Sequence, residues 1–448
     1  MNRTFLVFAC LAWASLTGFA QDFDAQFEEI RKAASPREMY SFFWDMPKGG
    51  DLHHHLSLSF RPDEVYEVMA HFYTRMKLST CPGDDAAPPL RFRMISRESF
   101  EKLSACEQAD YVEIAKMDGE QKAAWVSSLI IDKAYEGRNE FFEVIVSRLQ
   151  EPTRDPAVIL ELLPRMLKRY AREKVLYVET QYNVPDASIA PKFRERLAQP
   201  DLANLYTTLR FQSVVIRFRP NAEEAIERAY QFIDKNRDLW VGINMAGRED
   251  NTKGHALRFL DTFRRMRRTY SGIHMSIHGG EVDNPGREVR NTLLIGAERI
   301  GHGFNLITDP DTMLLMRNGR NLVEVNLVSN RLLEYAPDLD AHPFIEYLRF
   351  GIPVCLNTDD SGIWDSNLTD EYFLASKHYK LTWSEIVALG RNSLEFSFAQ
   401  PALKKQLQER FEKSVKEFEQ KYSASNWREE LRKVQPEESG YARRAILR

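Results

Sequence analysis

The alternation of short β-rich runs with longer helical patterns is the feature that most limits how this chain can fold. The runs are rich in Val, Ile and aromatic residues, whereas segments such as residues 221–236 repeat apolar side chains at the helical period. Strands that alternate with helices form parallel βα units, and eight such units close a barrel. The predicted strands cover residues 48–58, 175–182, 212–218, 239–245, 272–278, 299–303, 321–327 and 352–357. We therefore predict the α/β class and a (β/α)8 TIM barrel.

The spacing of these runs also predicts how the chain is divided. One barrel accounts for most of residues 21–448, so we expect a single domain there. The interval between the first two strands is far longer than one helix, which predicts a helical insertion at about residues 60–174. Residues 401–448 carry charges of alternating sign, which is typical of a solvated helical extension.

Residues 1–20 have the pattern of a secretory signal peptide. Arg3 provides the positive end, residues 5–16 form the apolar segment, and small residues at Gly18 and Ala20 mark a cleavage site. We predict cleavage after Ala20 and a secreted or periplasmic protein. A buried or membrane-anchoring helix is the alternative, although the apolar stretch is short for a membrane span.

The charge balance limits the class of partner. The chain has 61 Lys and Arg against 65 Asp and Glu, a formal charge of −4, so it lacks the basic footprint of a nucleic-acid-binding protein. No run of about 18 apolar residues follows the N-terminus, and we expect no membrane insertion. A small, uncharged molecule suits this balance better. The sequence does not decide the oligomeric state, and a homodimer stays open.

Few cysteines are available for structure or chemistry. The chain has four, of which Cys10 lies in the predicted signal peptide and Cys355 in a predicted strand. Export permits a disulfide between Cys81 and Cys106, which share an irregular, proline-rich stretch, and two free thiols are the alternative. A cysteine-rich structural zinc site is excluded, so histidines and carboxylates would have to hold any metal.

Histidines stand at the end of the first predicted strand. Because side chains alternate along a strand, His53 and His55 point to the same side and His54 to the other. A TIM barrel builds its active site at the carboxyl ends of its strands. The pair is therefore half of a metal site at the barrel mouth, and a surface histidine cluster is the alternative.

Three further strand ends carry the residue types of a metal-assisted hydrolase: His278-Gly279-Gly280-Glu281, Gly301-His302-Gly303 and Asn357-Thr358-Asp359-Asp360. Two adjacent carboxylates are costly to bury unless they are paired or bound to a metal. A core histidine or a turn aspartate would explain any one of these motifs alone. Their occurrence, with the histidine pair of the first strand, at four different strand ends indicates one shared site.

Together these motifs resemble the adenosine deaminase family of metal-dependent hydrolases, which includes adenosine and AMP deaminases and secreted growth-factor-like members. Other matching segments are Met46-Pro47-Lys48, Val323-Glu324-Val325, Ser329-Asn330 and Asn392-Ser393, so the resemblance covers residues 46–398. The zinc deaminases of the cytidine type need a C-x-x-C motif, which this chain lacks.

The resemblance implies one zinc ion per chain, with four ligands: His53, His55, His278 and Asp359. Glu281 would give a proton to purine N1, and His302 would orient and help deprotonate the attacking water. Asp360 would accept a hydrogen bond at purine N7, and the backbone N–H of Gly247 would bind N3. Zinc suits this reaction because it lowers the pKa of water towards neutrality.

Departures from the family pattern concern the sugar end of the substrate. Ser57 stands where many members have an aspartate for the ribose 5′-hydroxyl. Glu179 could make the sugar contact instead, and a structural ion pair is its alternative role. The first-strand loop, between Lys48 and Arg61, has no cluster of basic residues for a phosphate, which disfavours AMP.

The predicted function is zinc-dependent hydrolytic deamination of adenosine or 2′-deoxyadenosine to inosine and ammonia. One alternative is the same chemistry on a modified adenine nucleoside or another amidine. The other is a non-catalytic extracellular nucleoside-binding or signalling protein, which the presence of Glu281 and all four ligands disfavours. The exact purine and the role of the insertion are left open.

Overall fold

A computed structural model describes residues 23–81, 90–183, 188–249, 252–283 and 286–447. Its strands are β1 (Lys48–His55), β2 (Tyr73–Arg75), β3 (Met94–Ile95), β4 (Tyr111–Glu113), β5 (Val175–Tyr182), β6 (Thr208–Ile216), β7 (Trp240–Ala246), β8 (His274–Gly279), β9 (Arg299–His302), β10 (Leu322–Val325) and β11 (Val354–Leu356). Eight of them form one parallel sheet in the order β1-β5-β6-β7-β8-β9-β10-β11. The predicted TIM barrel is confirmed.

The barrel closes between β1 and the residues that follow β11. The backbone N–H of Asp359 donates to the carbonyl of His53 at 2.9 Å, and that of His55 donates to the carbonyl of Asp359 at 3.1 Å. Closure therefore brings the last predicted strand end beside the two histidines of the first. Residues separated by most of the chain become neighbours through two backbone hydrogen bonds.

Helices cover the outside of the barrel. In the helix Ala222–Asp234 the buried side chains Ile226, Tyr230 and Ile233 share the face that packs on the sheet. The helices that alternate with β5 to β11 are Ile189–Leu197, Pro200–Ala203, Ala222–Asp234, Leu260–Thr269, Glu288–Leu294, Pro310–Gly319, Leu327–Leu332 and Phe344–Phe350. Those after β11 are Ser361–Trp364, Leu368–Tyr379, Trp383–Glu395, Pro401–Tyr422 and Trp427–Arg432, and Pro36–Asp45 precedes β1.

The segment between β1 and β5 contains both helices and a small sheet. Its helices are Pro62–Val68, Arg97–Glu101, Ala105–Gln108, Gly119–Ser127, Val146–Arg148 and Pro156–Arg172. β2, β3 and β4 form an antiparallel sheet that the sequence analysis did not predict, because strands of two or three residues show no periodicity. Cys81 and Cys106 form a disulfide here. A π-helical turn, Glu140–Ile145, follows and contributes to the barrel mouth.

The two ends of the described chain pack together. Phe418, in the C-terminal helix Pro401–Tyr422, contacts Phe42 with ring centroids 4.9 Å apart and stacks on Trp383 at 5.3 Å. One face of this helix is therefore buried, whereas the sequence pattern emphasised its solvated face. No helix within the described ranges is long and apolar enough to cross a bilayer. The predicted signal peptide, residues 1–20, lies outside them.

Candidate active site

A cavity of about 400 Å³ opens at the carboxyl ends of the barrel strands. This volume falls in the range of small-molecule sites. Its floor holds histidines and carboxylates, and its walls are mainly apolar. The lining residues are His55, Leu58, Phe141, Phe142, Glu143, Val146, Val214, Ile216, Phe218, Arg219, Ala246, Gly247, Arg248, His278, Glu281, His302, Leu333, Asp359 and Asp360.

The structure brings the four family-implied metal ligands together at the floor. His53 Nε2 lies 3.1 Å from His278 Nε2 and 3.5 Å from Asp359 Oδ1, and His55 Nε2 lies 3.2 Å from the same oxygen. The candidate ligand atoms of His53, His278, His302 and Asp359 lie within 4.8 Å of one another, and those of His55, Asp359 and Asp360 form a second such group. Asp359 adopts a positive φ of 56°, a backbone conformation that functional sites often stabilise.

The orientation of two histidines suits a cation. His53 Nδ1 contacts the Glu324 carboxylate at 2.8 Å and His278 Nδ1 contacts the Asn244 amide oxygen at 3.0 Å, so each Nδ1 donates a hydrogen. In the neutral imidazoles both Nε2 atoms are then unprotonated, with lone pairs that converge at 3.1 Å. Converging lone pairs repel unless positive charge lies between them. Two imidazole nitrogens with a carboxylate oxygen form a donor set that fits Zn²⁺.

The pKa shifts of the histidines at the cavity floor also indicate that positive charge is favoured between them. Burial opposes a charge on His53, but the Asp359 and Glu324 carboxylates raise its pKa to about 10. Burial and the neighbouring His53 lower the pKa of His278 well below its usual value, so His278 stays neutral. A metal ion would replace the proton on His53 and satisfy both imidazoles.

Glu179, for which a sugar contact is predicted, is not among the described residues that line the cavity. Its buried carboxylate accepts from Arg299 at 2.7 Å and from Gln212 at 2.9 Å inside the barrel. Arg299 also pairs with Glu324 at 2.6 Å, so a continuous buried network leads from Glu179 to the ligand His53. Burial raises the pKa of Glu324, but Arg299 and His53 more than compensate and lower it overall. The alternative role, a structural ion pair, is the one that the structure gives Glu179.

Glu281 is held where it can act as an acid. Burial, Asp359 and Glu249 raise its pKa well above the usual value, which favours the protonated acid. The Glu249 carboxylate accepts the backbone N–H groups of Gly280 at 3.0 Å and Glu281 at 3.3 Å, and Arg217 lies 3.5 Å from Glu249. Glu281 Oε2 is 3.5 Å from His302 Nε2. A buried carboxyl with a raised pKa beside a candidate metal site can give a proton to a bound ligand.

Asp360 and Gly247, the other two expected substrate contacts, line the same cavity. The Oδ1 atom of Asp360 is buried and has no hydrogen-bond partner within the described part of the chain. Burial and Asp359 raise the pKa of Asp360 well above its usual value. Gly247 has φ +100°, and a Cβ there would come within 2.9 Å of the Phe218 ring. Only glycine fits this position without strain.

Four buried polar residues that support the site were not singled out as functional from the sequence: Asn244, Glu249, Arg299 and Glu324. Glu324 interrupts an otherwise apolar strand, β10, and Arg299 begins β9, so a charge within a buried strand was the available signal. Asn244 and Glu249 flank Gly247, and no pattern in the sequence indicates which residues they contact.

Two arginines line the cavity from loops other than the first-strand loop. Arg219 follows β6 and Arg248 follows β7, and both line the mouth. Arg248 lies 3.3 Å from the Asn139 amide oxygen and 3.4 Å from Glu143. The absence of basic residues from the first-strand loop therefore does not argue against an anionic substrate.

Gly301 keeps space for the ligand His53, and its replacement by alanine is expected to weaken metal binding. A Cβ at Gly301 would lie 2.6 Å from His53 Cε1, inside van der Waals contact, so the imidazole must shift. We expect zinc affinity to fall about 10–100-fold, as when a supporting contact of a metal ligand is lost. Calorimetric titration of Gly301→Ala with zinc measures this loss.

The matched control is Gly119→Ala, because a Cβ at Gly119 meets nothing within 4 Å. Its zinc affinity should equal that of the wild type, and its free energy of unfolding should change by less than about 0.5 kcal/mol. Equal zinc affinity in Gly301→Ala and the wild type would contradict the packing argument.

Comparison with known proteins finds deaminases among the similar sequences. An adenosine deaminase of Pectobacterium atrosepticum is 33% identical over 195 residues, which are 44% of this chain and 57% of that protein. Human N6-methyl-AMP deaminase is 25% identical over 296 residues, 63% of this chain and 82% of that protein. The chain thus spans little more than half the length of the first of these relatives.

Solved structures show the same fold at low identity. The structure of Arabidopsis ADAL complexed with GMP matches with a TM-score of 0.62 at 21% identity. The match covers 84% of this chain and 99% of that one. A cog1816 amidohydrolase from Burkholderia ambifaria with bound Zn has a TM-score of 0.63 at 16% identity, with 86% and 95% covered.

A family model supplies the assignment. The model for adenosine deaminase matches residues 140–414, more than half of the 448 residues. His278, Glu281, His302, Asp359 and Asp360 lie inside the matched segment. The histidines of β1 lie before it, and the barrel brings them to the same cluster. The chain belongs to the adenosine deaminase family.

Proposed function

We propose that this protein is a zinc-dependent aminohydrolase that converts adenosine, 2′-deoxyadenosine or a closely related adenine nucleoside to the 6-oxo product and ammonia. The observation that carries the proposal is the juxtaposition of the buried Glu281 carboxyl, whose pKa is raised, with the converging His53, His278 and Asp359 donors. Family membership supports the reaction type. A protein that only bound nucleosides would not need both groups.

Zinc, when bound, would supply a Lewis acid that lowers the pKa of the attacking water. Glu281 gives its proton to purine N1 while water adds to C6, so negative charge does not accumulate on the ring. His302, 3.5 Å from Glu281, orients the water. The Glu281 carboxylate that results takes a proton from the added water and passes it to the C6 amino group, so the C6–N bond breaks and ammonia leaves.

The remaining contacts hold the purine ring. Asp360 donates a hydrogen bond to N7 from its carboxyl group, and its raised pKa favours the protonated form that this needs. This reverses the expectation that Asp360 accepts there, because purine N7 carries a lone pair and no hydrogen. The backbone N–H of Gly247 is the donor proposed for N3. Both contacts recognise adenine and are independent of the sugar.

A purine 5′-nucleotide is a second candidate substrate. Arg219 and Arg248 line the cavity mouth, and guanidinium groups are well suited to bind phosphate. The matched human relative is named N6-methyl-AMP deaminase, and the Arabidopsis neighbour was solved with GMP. These observations favour a phosphate at the mouth, whereas the apolar walls favour an uncharged substituent.

Initial rates on adenosine, 2′-deoxyadenosine, N6-methyladenosine, AMP and N6-methyl-AMP distinguish the two candidates. The nucleoside proposal expects the highest kcat/KM on adenosine or 2′-deoxyadenosine, and Arg219→Ala should then change it less than about threefold, as expected of a surface substitution. A preference for AMP that Arg219→Ala abolishes would favour the nucleotide. No turnover of any of the five by zinc-loaded protein would refute the proposal.

We further propose that the protein is exported. The sequence pattern of residues 1–20 and the disulfide between Cys81 and Cys106 support an oxidising compartment. N-terminal sequencing of the protein recovered outside the cytoplasm should begin at Gln21. Recovery of an uncleaved chain with reduced cysteines from the cytoplasm would contradict this proposal.

A further inference from the structure

A line of buried hydrogen bonds leads from a backbone amide to the imidazole of His302. The N–H of Phe344 meets His342 Nδ1 at 3.1 Å, and His342 Nε2 meets Asn330 Oδ1 at 3.1 Å. The Asn330 Nδ2 group meets His302 Nδ1 at 3.2 Å. His342, Asn330 and His302 are 2%, 0% and 1% exposed, so bulk water does not compete for these contacts.

The direction of every bond follows from the first. A backbone N–H can only donate, so His342 Nδ1 must accept from Phe344. Burial lowers the pKa of His342 to about 3, so this imidazole is neutral and its single hydrogen lies on Nε2. That hydrogen is donated to the amide oxygen of Asn330, which turns the Asn330 NH₂ group towards His302.

These contacts leave only one ring nitrogen of His302 that can carry the hydrogen of the neutral imidazole. Its Nδ1 accepts from Asn330, and the Asn326 Nδ2 group approaches the same atom at 3.2 Å. The hydrogen of the neutral imidazole must therefore lie on Nε2, the atom that faces Glu281 at 3.5 Å. We propose that Asn330 and His342 are positioning residues that hold His302 in the Nε2–H tautomer.

This tautomer decides what His302 can do at the metal cluster. A nitrogen that carries a hydrogen has no lone pair for a metal, so His302 is not a ligand although its ring lies among the cluster atoms. His55, which contacts Asp359, is left as the third imidazole ligand. In catalysis, and this step depends on the proposed function, His302 Nε2–H donates to the attacking water and orients it. It cannot take a proton from that water.

The direct test is the tautomer of His302 in solution. Zinc-loaded protein labelled with ¹⁵N-histidine is examined by long-range ¹H–¹⁵N correlation NMR, and a His302→Gln sample assigns the resonances. We expect a protonated Nε2 and an unprotonated Nδ1 for His302 in the wild type. A protonated Nδ1 would overturn the inference. The measurement needs no turnover, so an inactive protein with the expected tautomer would refute only the proposed function.

Variants separate positioning from general support of the fold. Asn330→Asp replaces the NH₂ donor by an acceptor, so His302 should move its hydrogen to Nδ1 and kcat should fall about 10–100-fold with a smaller change in KM. His342→Gln can still accept from Phe344 and donate to Asn330, and it should retain the wild-type tautomer and kcat within about threefold. An unchanged tautomer in a folded Asn330→Asp protein would contradict the inference.

Discussion

Replacement of Glu281 by glutamine is expected to lower kcat about 10²–10⁴-fold while the protein keeps its zinc. The change removes the acidic proton and little else, because the side chain keeps its size and its backbone N–H still bonds to Glu249. Glu281 is not among the implied ligands, so the metal cluster is intact. Steady-state rates with adenosine, alongside zinc analysis of the same sample, measure both quantities.

A matched control lies at the mouth of the same cavity. Glu143 lines it, but its side chain is 67% exposed, and no chemistry is assigned to it. Glu143→Gln should therefore retain kcat within about twofold, as expected of an exposed substitution. If Glu281→Gln retained wild-type turnover, Glu281 could not be the proton donor. If it lost zinc, the comparison would move to Glu281→Asp, and full turnover by that variant would contradict the required reach of the carboxyl.

Replacement of Arg299 by methionine is expected to destabilise the fold by about 3–5 kcal/mol, because two buried carboxylates lose their common partner. Arg299 pairs with Glu179 at 2.7 Å and Glu324 at 2.6 Å, and all three side chains are fully buried. Methionine fills similar space but supplies no charge. Equilibrium unfolding by guanidinium chloride measures the difference.

The control for charge removal is Arg320→Met. Arg320 pairs with Glu395 at the surface, where the two side chains are 62% and 47% exposed, and such pairs contribute about 0–1 kcal/mol. The two variants should therefore differ by more than about 2 kcal/mol. Equal stabilities would mean that the Glu179–Arg299–Glu324 network is not needed to hold the barrel interior. The same network supports His53, so Arg299→Met should also bind zinc more weakly than Arg320→Met.

The barrel could be predicted because each of its strands shows a recognisable β-rich run in the local sequence. The predicted second strand has the observed bounds of β5, Val175–Tyr182. The first was predicted to reach residue 58, but β1 ends at His55 because residues 56–58 form a 3₁₀ turn. The small sheet of β2, β3 and β4 escaped prediction because it is stabilised by pairing between segments, not by any periodicity within them.

The ligand cluster could be predicted for a similar reason, because each ligand lies at the end of a recognisable strand. The role of Glu179 stayed open between a sugar contact and an ion pair, because its position within β5 was clear but its partner was not. Arg299 lies 120 residues further along the chain, and only barrel closure brings the two together. The same holds for Asn330 and His302, which are 28 residues apart and belong to different elements.

The central claim is that the buried cluster uses zinc to deaminate adenine nucleosides by hydrolysis. The most direct measurement is ammonia release from adenosine by one preparation in three states: as purified, after removal of metal with a chelator, and after addition of one equivalent of zinc. If the deamination depends on zinc, we expect turnover in the first state, loss of nearly all turnover in the second, and its return in the third. Undiminished ammonia release by the metal-free protein, or none from the zinc-loaded protein, would contradict it.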